Sequence, residues 1–184
     1  MAINISEEVQ KKLLFPPLQK IDPNAPNEAR DNEAIHFPVT QAAVVTALAG
    51  LYKMTRNTAG ATRLLLNGQT DSWLEDVYGD NLGKTISHVA EFSHWGRAEV
   101  EKLVRLSADA ALIIVHEQLG EKIEPDALKD FMSSQRDSIL VYIPAQLQLG
   151  EMLHDTTLDD NTNKMEGPVS SLMHKIENIF SEDK

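Results

Sequence analysis

The chain has 184 residues, of which 42% are hydrophobic and 24% charged, a balance typical of a globular domain rather than a disordered or fibrous protein. It contains no cysteine, which excludes disulfides, thiolate chemistry and cysteine-ligated zinc. Its formal net charge is −11 and it has no run of lysines and arginines, so we expect no nucleic-acid partner.

Neither a membrane span nor a secretory signal is apparent. The longest apolar run, residues 110–115, is far shorter than a bilayer-spanning helix. The first residues, MAINISEEVQKK, lack the apolar stretch that a secretory signal needs. We therefore expect no membrane association and a cytoplasmic location.

The first 38 residues are predicted to form an arm ahead of the main domain. Ser6 can cap a short helix, which Pro16 and Pro17 end. Residues 18–38 contain three prolines and follow neither apolar period, which predicts irregular structure. The sequence thus indicates an arm at 1–38 and a single helical domain at 39–184.

Apolar residues recur at three- and four-residue spacing through most of the following 100 residues. Thr40 is expected to cap the first of these helices, and Thr70 a shorter one. In the longest helix the run 110–115, AALIIV, is apolar all round, which predicts a place at the centre of a bundle. The predicted helices cover residues 40–54, 59–66, 71–79, 82–92, 97–119 and 124–134.

The C-terminal third combines patterns typical of helix, strand and loop. Residues 137–153, DSILVYIPAQLQLGEML, suggest a helix kinked at Pro144, although ILVYI would also suit a strand. Residues 155–168 are predicted to form a polar loop, and residues 168–180 an amphipathic closing helix whose apolar stripe must be covered. The predicted fold is all-α: a compact multi-helix bundle with a polar N-terminal arm and a C-terminal amphipathic helix.

Two segments carry a family resemblance: TQAAVVTALAGLYKMTRNTAGATRLL (40–65) and WLEDVYGDNLGKTISHVAEFSHWGRAEVEKLVRLSADAALIIVHEQLG (73–120). Over about residues 40–150 the chain resembles the YidB-like family of uncharacterised bacterial helical proteins. The polar turn of that family is matched by Thr58-Ala59-Gly60-Ala61, and its apolar second helix by residues 110–115. The resemblance implies an all-helical fold and carries over no active-site residues.

A glycine-rich segment, Gly79-Asp80-Asn81-Leu82-Gly83-Lys84-Thr85, is similar to a phosphate-binding P-loop. It has three residues between the glycines where that motif needs four, and it follows a predicted helix where the motif needs a strand. We therefore interpret it as a turn that leads into a helix.

Two Glu-x-x-His steps are candidates for a metal site: Glu91 with His94, and Glu151 with His154. A di-iron centre in a helical bundle uses two such steps and an inward glutamate from each of two further helices. Glu99, Glu101 and Glu117 are candidates for those glutamates, but both steps lie beside glycines or helix ends. A surface position is the simpler interpretation.

Residues 155–166 have the length and acidic ends of a calcium loop. In that frame Asp160 stands where the sharp turn needs glycine, and a frame that starts at Asp159 has Lys164 there. Whether this loop binds a cation stays open.

No catalytic constellation is complete, so we expect neither a cofactor nor, on balance, an enzyme. The leading hypothesis is a helical module that acts by binding a protein partner or by self-association. The alternative is a metal-dependent helical-bundle enzyme that uses the two Glu-x-x-His steps.

Overall fold

The computed structural model describes residues 3–21, 38–67, 73–155 and 158. Every regular element in these ranges is a helix or a helical turn, which confirms the predicted all-α fold. The helices are α1 (Ile5–Lys12), α2 (Val39–Met54), α3 (Thr58–Asn67), α4 (Trp73–Tyr78), α5 (Leu82–Ser93), α6 (Arg97–Leu119), α7 (Pro125–Ser134), α8 (Arg136–Leu140) and α9 (Leu149–Met152). Short 3₁₀ turns occupy Gly79–Asn81 and Ala145–Leu147.

The bounds of the longest helices agree with the sequence, but two predicted caps do not. Asn4 caps α1 in place of Ser6, because its side chain accepts hydrogen bonds from the first backbone N–H groups. Ser6 lies inside the helix, where its buried hydroxyl donates to the carbonyl of Ser138. Pro38 precedes α2, so Thr40 falls within the first turn rather than at the cap. The predicted cap Thr70 lies outside the described residues.

Helix α2 is the centre of the bundle. Thr40 and Lys53 are the two of its sixteen residues that are not buried. Gly50 allows α4 to approach closely, since a Cβ there would lie 2.8 Å from the ring of Tyr78. α2 packs chiefly on α6, and also on α1, α4, α5 and α8.

The expectation that residues 110–115 of α6 form the centre is wrong. Ala110, Ala111, Ile114 and Val115 are buried, but Ile113 is 48% exposed. α6 therefore has an inner face against α2 and an outer face in solvent. An all-round apolar run does not by itself require all-round burial, because apolar side chains are common on protein surfaces.

The N-terminal residues 3–21 pack against this core. Ile5 and Val9 have no solvent exposure, and α1 lies on α2, α6 and α8. The expectation that the folded core begins after Pro38 is wrong for these residues, because a short helix with two core-facing side chains is sufficient to dock. The remainder of the predicted linker, residues 22–37, lies outside the described residues.

Residues 137–153 do not form one kinked helix. α8 ends at Leu140, a turn follows at Val141 and Tyr142, and the chain re-enters helical conformation only in the 3₁₀ turn and α9. Pro144 is buried with an extended backbone, φ −71° and ψ 139°, which breaks the helix rather than bending it. Of the predicted loop 155–168 only Asp155 and Leu158 are described, and the predicted closing helix 168–180 lies outside the described residues.

Candidate functional site

The two Glu-x-x-His steps do not come together. His94 follows the last residue of α5, whereas the Nε2 of His154 lies 3.2 Å from the side-chain nitrogen of Asn81, which precedes α5. Twelve helical residues span about 18 Å, so the two histidines lie at opposite ends of α5. A metal ion needs its ligands within about 2 to 2.6 Å. In the part of the chain that the structure describes, no group of three His, Asp or Glu residues could hold one.

The four candidate side chains, Glu91, His94, Glu151 and His154, are all exposed. His94 and His154 both have left-handed backbone conformation, with φ of 55° and 50°, at the ends of α5 and α9. Of the further candidates, Glu101 pairs with Arg105 and Glu117 with Lys12. These side chains therefore take part in surface contacts rather than in a shared inward-facing site.

The glycine-rich segment lies at an open polar cleft of about 530 Å³ along α5. Its predicted form is confirmed: α4 precedes it, Gly79 opens a turn, and Gly83 lies in the first turn of α5. Thr85 is buried and donates its hydroxyl to the carbonyl of Asn81. The cleft lining carries both signs of charge, which gives no selection for an anion. It includes Asp80, Gly83, Lys84, Ser87, His88, Glu91, Arg97 and Met152.

The exposed side of α6 has the character of a docking surface. Its side chains follow one another at four- and three-residue spacing, which places them in one row along the helix. Leu106 is 40% and Ile113 48% exposed, although both are large and apolar. We call this row the outer α6 face; it comprises Lys102, Leu106, Asp109, Ile113 and His116. A shallow groove of about 430 Å³ borders it from Ala98 to Asp109.

Ion pairs and burial hold the outer α6 face in place. Arg105 bonds Glu75 of α4 at 2.6 Å and Glu101 at 3.0 Å. The hydrogen bond from Arg105 lowers the pKa of the Glu75 carboxyl below its usual value. On the opposite side of α6, Val104 and Ala108 are buried. The face therefore belongs to a long helix that is anchored on two sides, which suits it to present side chains in a fixed arrangement.

Asp155, the first residue of the candidate calcium loop 155–166, forms ion pairs with basic side chains near the end of α2. Its side chain is buried and forms ion pairs with Arg56 and, at 3.5 Å, with Lys53 at the end of α2. The hydrogen bond to Asp155 raises the pKa of Arg56. This contact joins α2 to the chain that follows α9. Since it spans 99 residues of sequence, no local pattern could have indicated it.

A second long-range contact, between Gln41 and Gln19, was also not predicted from the sequence. Gln41 lies in the predominantly apolar α2 with 1% of its surface exposed, and its amide bonds the backbone of Gln19. A glutamine within an apolar helix is the one signal for it, because a buried amide needs partners.

Comparison with protein-family models, with characterised proteins and with solved structures finds no match to this chain. The resemblance of residues 40–150 to the YidB-like family therefore stays a prediction. In the described residues no helix is long and apolar enough to cross a membrane.

Proposed function

We propose that the chain is a helical protein-interaction module and that the outer α6 face binds a helix of a partner protein. The observation that carries this proposal is the exposure of Leu106 and Ile113, which lie seven residues apart on the longest described helix. Two apolar side chains seven residues apart lie on one side of α6, where the apolar side of a partner helix can pack against both.

The charges on the outer α6 face indicate which charges the partner helix should carry. Lys102 lies one turn before Leu106, and Asp109 lies between the two apolar side chains. A complementary helix would carry two apolar side chains, an acidic residue opposite Lys102 and a basic residue opposite Asp109. A second copy fits less well. Two α6 helices packed antiparallel, with each Leu106 opposite the other's Ile113, would place the two Asp109 carboxylates side by side.

The proposal retains two expectations from the sequence. They are a cytoplasmic location and, through the resemblance of residues 40–150, membership of the YidB-like family. Neither is needed for the experiment that follows.

The test compares Leu106→Lys/Ile113→Lys with a matched control, Leu14→Lys, whose side chain is 91% exposed elsewhere on the surface. A photo-crosslinking residue at position 109 captures partners in cells, and each captured protein is then purified for affinity measurements. Because Leu106 is 40% and Ile113 48% exposed, a partner can bury at most about half of each side chain, worth about 0.7 to 1.5 kcal/mol each, which predicts at least about a tenfold loss of affinity for the double variant. The control should bind as the wild type does.

Circular dichroism and melting temperature must be unchanged in both variants, since the substituted side chains are exposed. If the purified partner binds the double variant as tightly as the wild type, the outer α6 face is not its docking surface. If position 109 captures no protein that binds the purified wild-type chain, the proposal is wrong.

A further inference from the structure

The outer α6 face has a definite order of side chains along its length. From the C-terminal end of α6 the row runs apolar, acidic, apolar and basic: Ile113, Asp109, Leu106 and Lys102. All four are exposed, and each lies three or four residues from the next, which places them in one row. An antiparallel helix that fits this row would therefore carry, from its own N-terminus, an apolar, a basic, an apolar and an acidic side chain.

The C-terminal segment of this chain carries the order that the row requires. Residues 168–184 lie outside the described residues, and their sequence predicts an amphipathic helix over most of their length. From its N-terminus the segment carries Leu172, Lys175, Ile179 and Asp183, at three- or four-residue spacing. Its two apolar side chains are seven residues apart, the same spacing as on the outer α6 face. In an antiparallel arrangement each charged side chain of the segment would lie beside one of opposite charge on α6.

The described part of the chain ends near the C-terminal end of α6. Asp155 forms an ion pair with Arg56, just beyond α2. Two residues further along, the hydroxyl of Thr58 donates to the carboxylate of Asp126 at 2.7 Å. Asp126 lies in the first turn of α7, seven residues after the last residue of α6. The chain therefore leaves the described residues at the end of the bundle where an antiparallel segment would have to begin.

A short connection joins the segment to the described residues. It consists of the nine residues 159–167, which follow Leu158. Fully extended, nine residues reach roughly 30 Å, about the diameter of a small domain. This is long enough for the segment to lie along α6 of its own chain. A short tether also gives the segment an effective concentration in the millimolar range at that site, which favours docking within the chain over docking on a second copy.

We propose that residues 168–184 dock antiparallel on the outer α6 face of the same chain and compete with the partner helix for it. The inference rests on the proposed function for the identity of the site, and it adds the regulation of that site. A partner at about 1 μM displaces a segment held at about 1 mM only if it binds the face about 1,000-fold more tightly. The segment thus restricts the outer α6 face to partners that bind it tightly.

Cross-linking in the full-length chain tests this arrangement without a partner. The chain has no cysteine, so pairs of cysteines can be introduced without interference. Asp183→Cys is combined with Lys102→Cys in one protein and with His116→Cys in another, and each is treated with a short bismaleimide in dilute solution. Positions 102 and 116 are both exposed on the outer α6 face, about 21 Å apart along the helix. The proposed arrangement brings position 183 close to position 102 and keeps it away from position 116.

We expect the link within one chain to form several-fold faster between positions 102 and 183 than between positions 116 and 183. A segment that is not docked would give the reverse preference or none, because it leaves the bundle near the C-terminal end of α6, where residue 116 lies.

Two variants of the segment show whether the preference depends on its apolar side. Leu172→Lys/Ile179→Lys should remove the excess at position 102, because it places two charges against the apolar side chains of α6. His174→Lys/Asn178→Lys adds the same two lysines on the polar side of the predicted helix and should keep the excess.

An equal or larger yield at position 116 would overturn the inference, and so would an excess at position 102 that survives Leu172→Lys/Ile179→Lys. A product that forms only between two chains would also overturn it, because a second copy would then be the occupant. None of these results requires a captured partner, so the inference can fail while the outer α6 face still binds one. Conversely, if position 109 captures no partner, the proposed function fails while the cross-link still reports whether the segment docks.

Discussion

Replacement of Gln41 should loosen the N-terminal residues 3–21 and destabilise the whole bundle. Gln41→Leu preserves the volume of the side chain but removes its hydrogen bonds to Gln19 and Tyr142. Water can reach the exposed Gln19, so the loss of each of its two hydrogen bonds to Gln41 costs about 0.5 to 1.5 kcal/mol. The carbonyl of Tyr142 lies in a buried hydrogen bond and loses a donor, which costs about 1 to 3 kcal/mol. Burial of the apolar leucine side chain offsets part of this cost, so the free energy of unfolding should fall by about 2 to 3 kcal/mol.

A second substitution at this position separates hydrogen bonding from packing. Gln41→Glu keeps the acceptor for the N–H of Gln19 but places a carboxylate oxygen against the carbonyls of Gln19 and Tyr142. It should therefore destabilise more than Gln41→Leu at neutral pH. The repulsion raises the pKa of the new carboxyl in the folded state, and its protonation restores a donor. The gap in stability between Gln41→Glu and the wild type should narrow as the pH falls.

Urea unfolding measures the free energy of unfolding of each variant. Hydrogen exchange at the Gln19 amide measures whether the hydrogen bond at this residue is kept. This amide should be protected in the wild type and should exchange rapidly in Gln41→Leu. If the Gln19 amide exchanges equally fast in the wild type and in Gln41→Leu, or if Gln41→Glu is as stable as the wild type at pH 7, Gln41 does not hold Gln19 in place.

Four further predictions concern other parts of the chain. Gly60→Ala should cost more than about 2 kcal/mol in urea unfolding, because the added Cβ would lie 1.9 Å from the carbonyl oxygen of Met54. Burial raises the pKa of Tyr78, so its contribution to stability is complete below the usual tyrosine pKa of about 10 and is lost as pH rises above it. Absorbance at high pH should show it ionising only as the protein unfolds. Asp155→Asn should lower stability by about 1 to 3 kcal/mol, since it leaves the ion pairs at the end of α2 without their buried carboxylate; thermal melting measures this. Deletion of residues 168–184 should lower the melting temperature by several degrees if the predicted apolar stripe docks on the bundle, and an unchanged melting temperature would make that segment free for another role.

The sequence predicted helix bounds well where glycine or proline punctuates the chain. α6 lies between Gly96 and Gly120, and α7 begins at Pro125. These helix ends therefore depend on local backbone preferences. The caps were predicted less well. Whether Asn4 or Ser6 caps α1 depends on where the chain enters the helix, and either side chain could accept the hydrogen bonds.

Burial proved harder to predict because it depends on neighbours distant in sequence. α2 and the 110–115 run of α6 are similarly apolar, yet the first is surrounded and the second has the exposed Ile113. The same limit applies to the candidate site. By their spacing, the two Glu-x-x-His steps were equally good candidates for ligands of one metal site. In the structure, the turn at 141–142 and the short α9 bring His154 to the start of α5, away from His94.

The central position of α2 has a consequence for the chain during its synthesis. α2 is complete at Met54, but α6, its main neighbour, is complete only at Leu119, about 65 residues later. At about 5 to 20 residues per second the ribosome needs about 3 to 13 s for that interval. During this time the side of α2 that α6 later covers has no permanent cover. We expect the nascent chain to bind chaperones that recognise apolar segments, and slower translation between residues 54 and 119 should lengthen its exposure to aggregation.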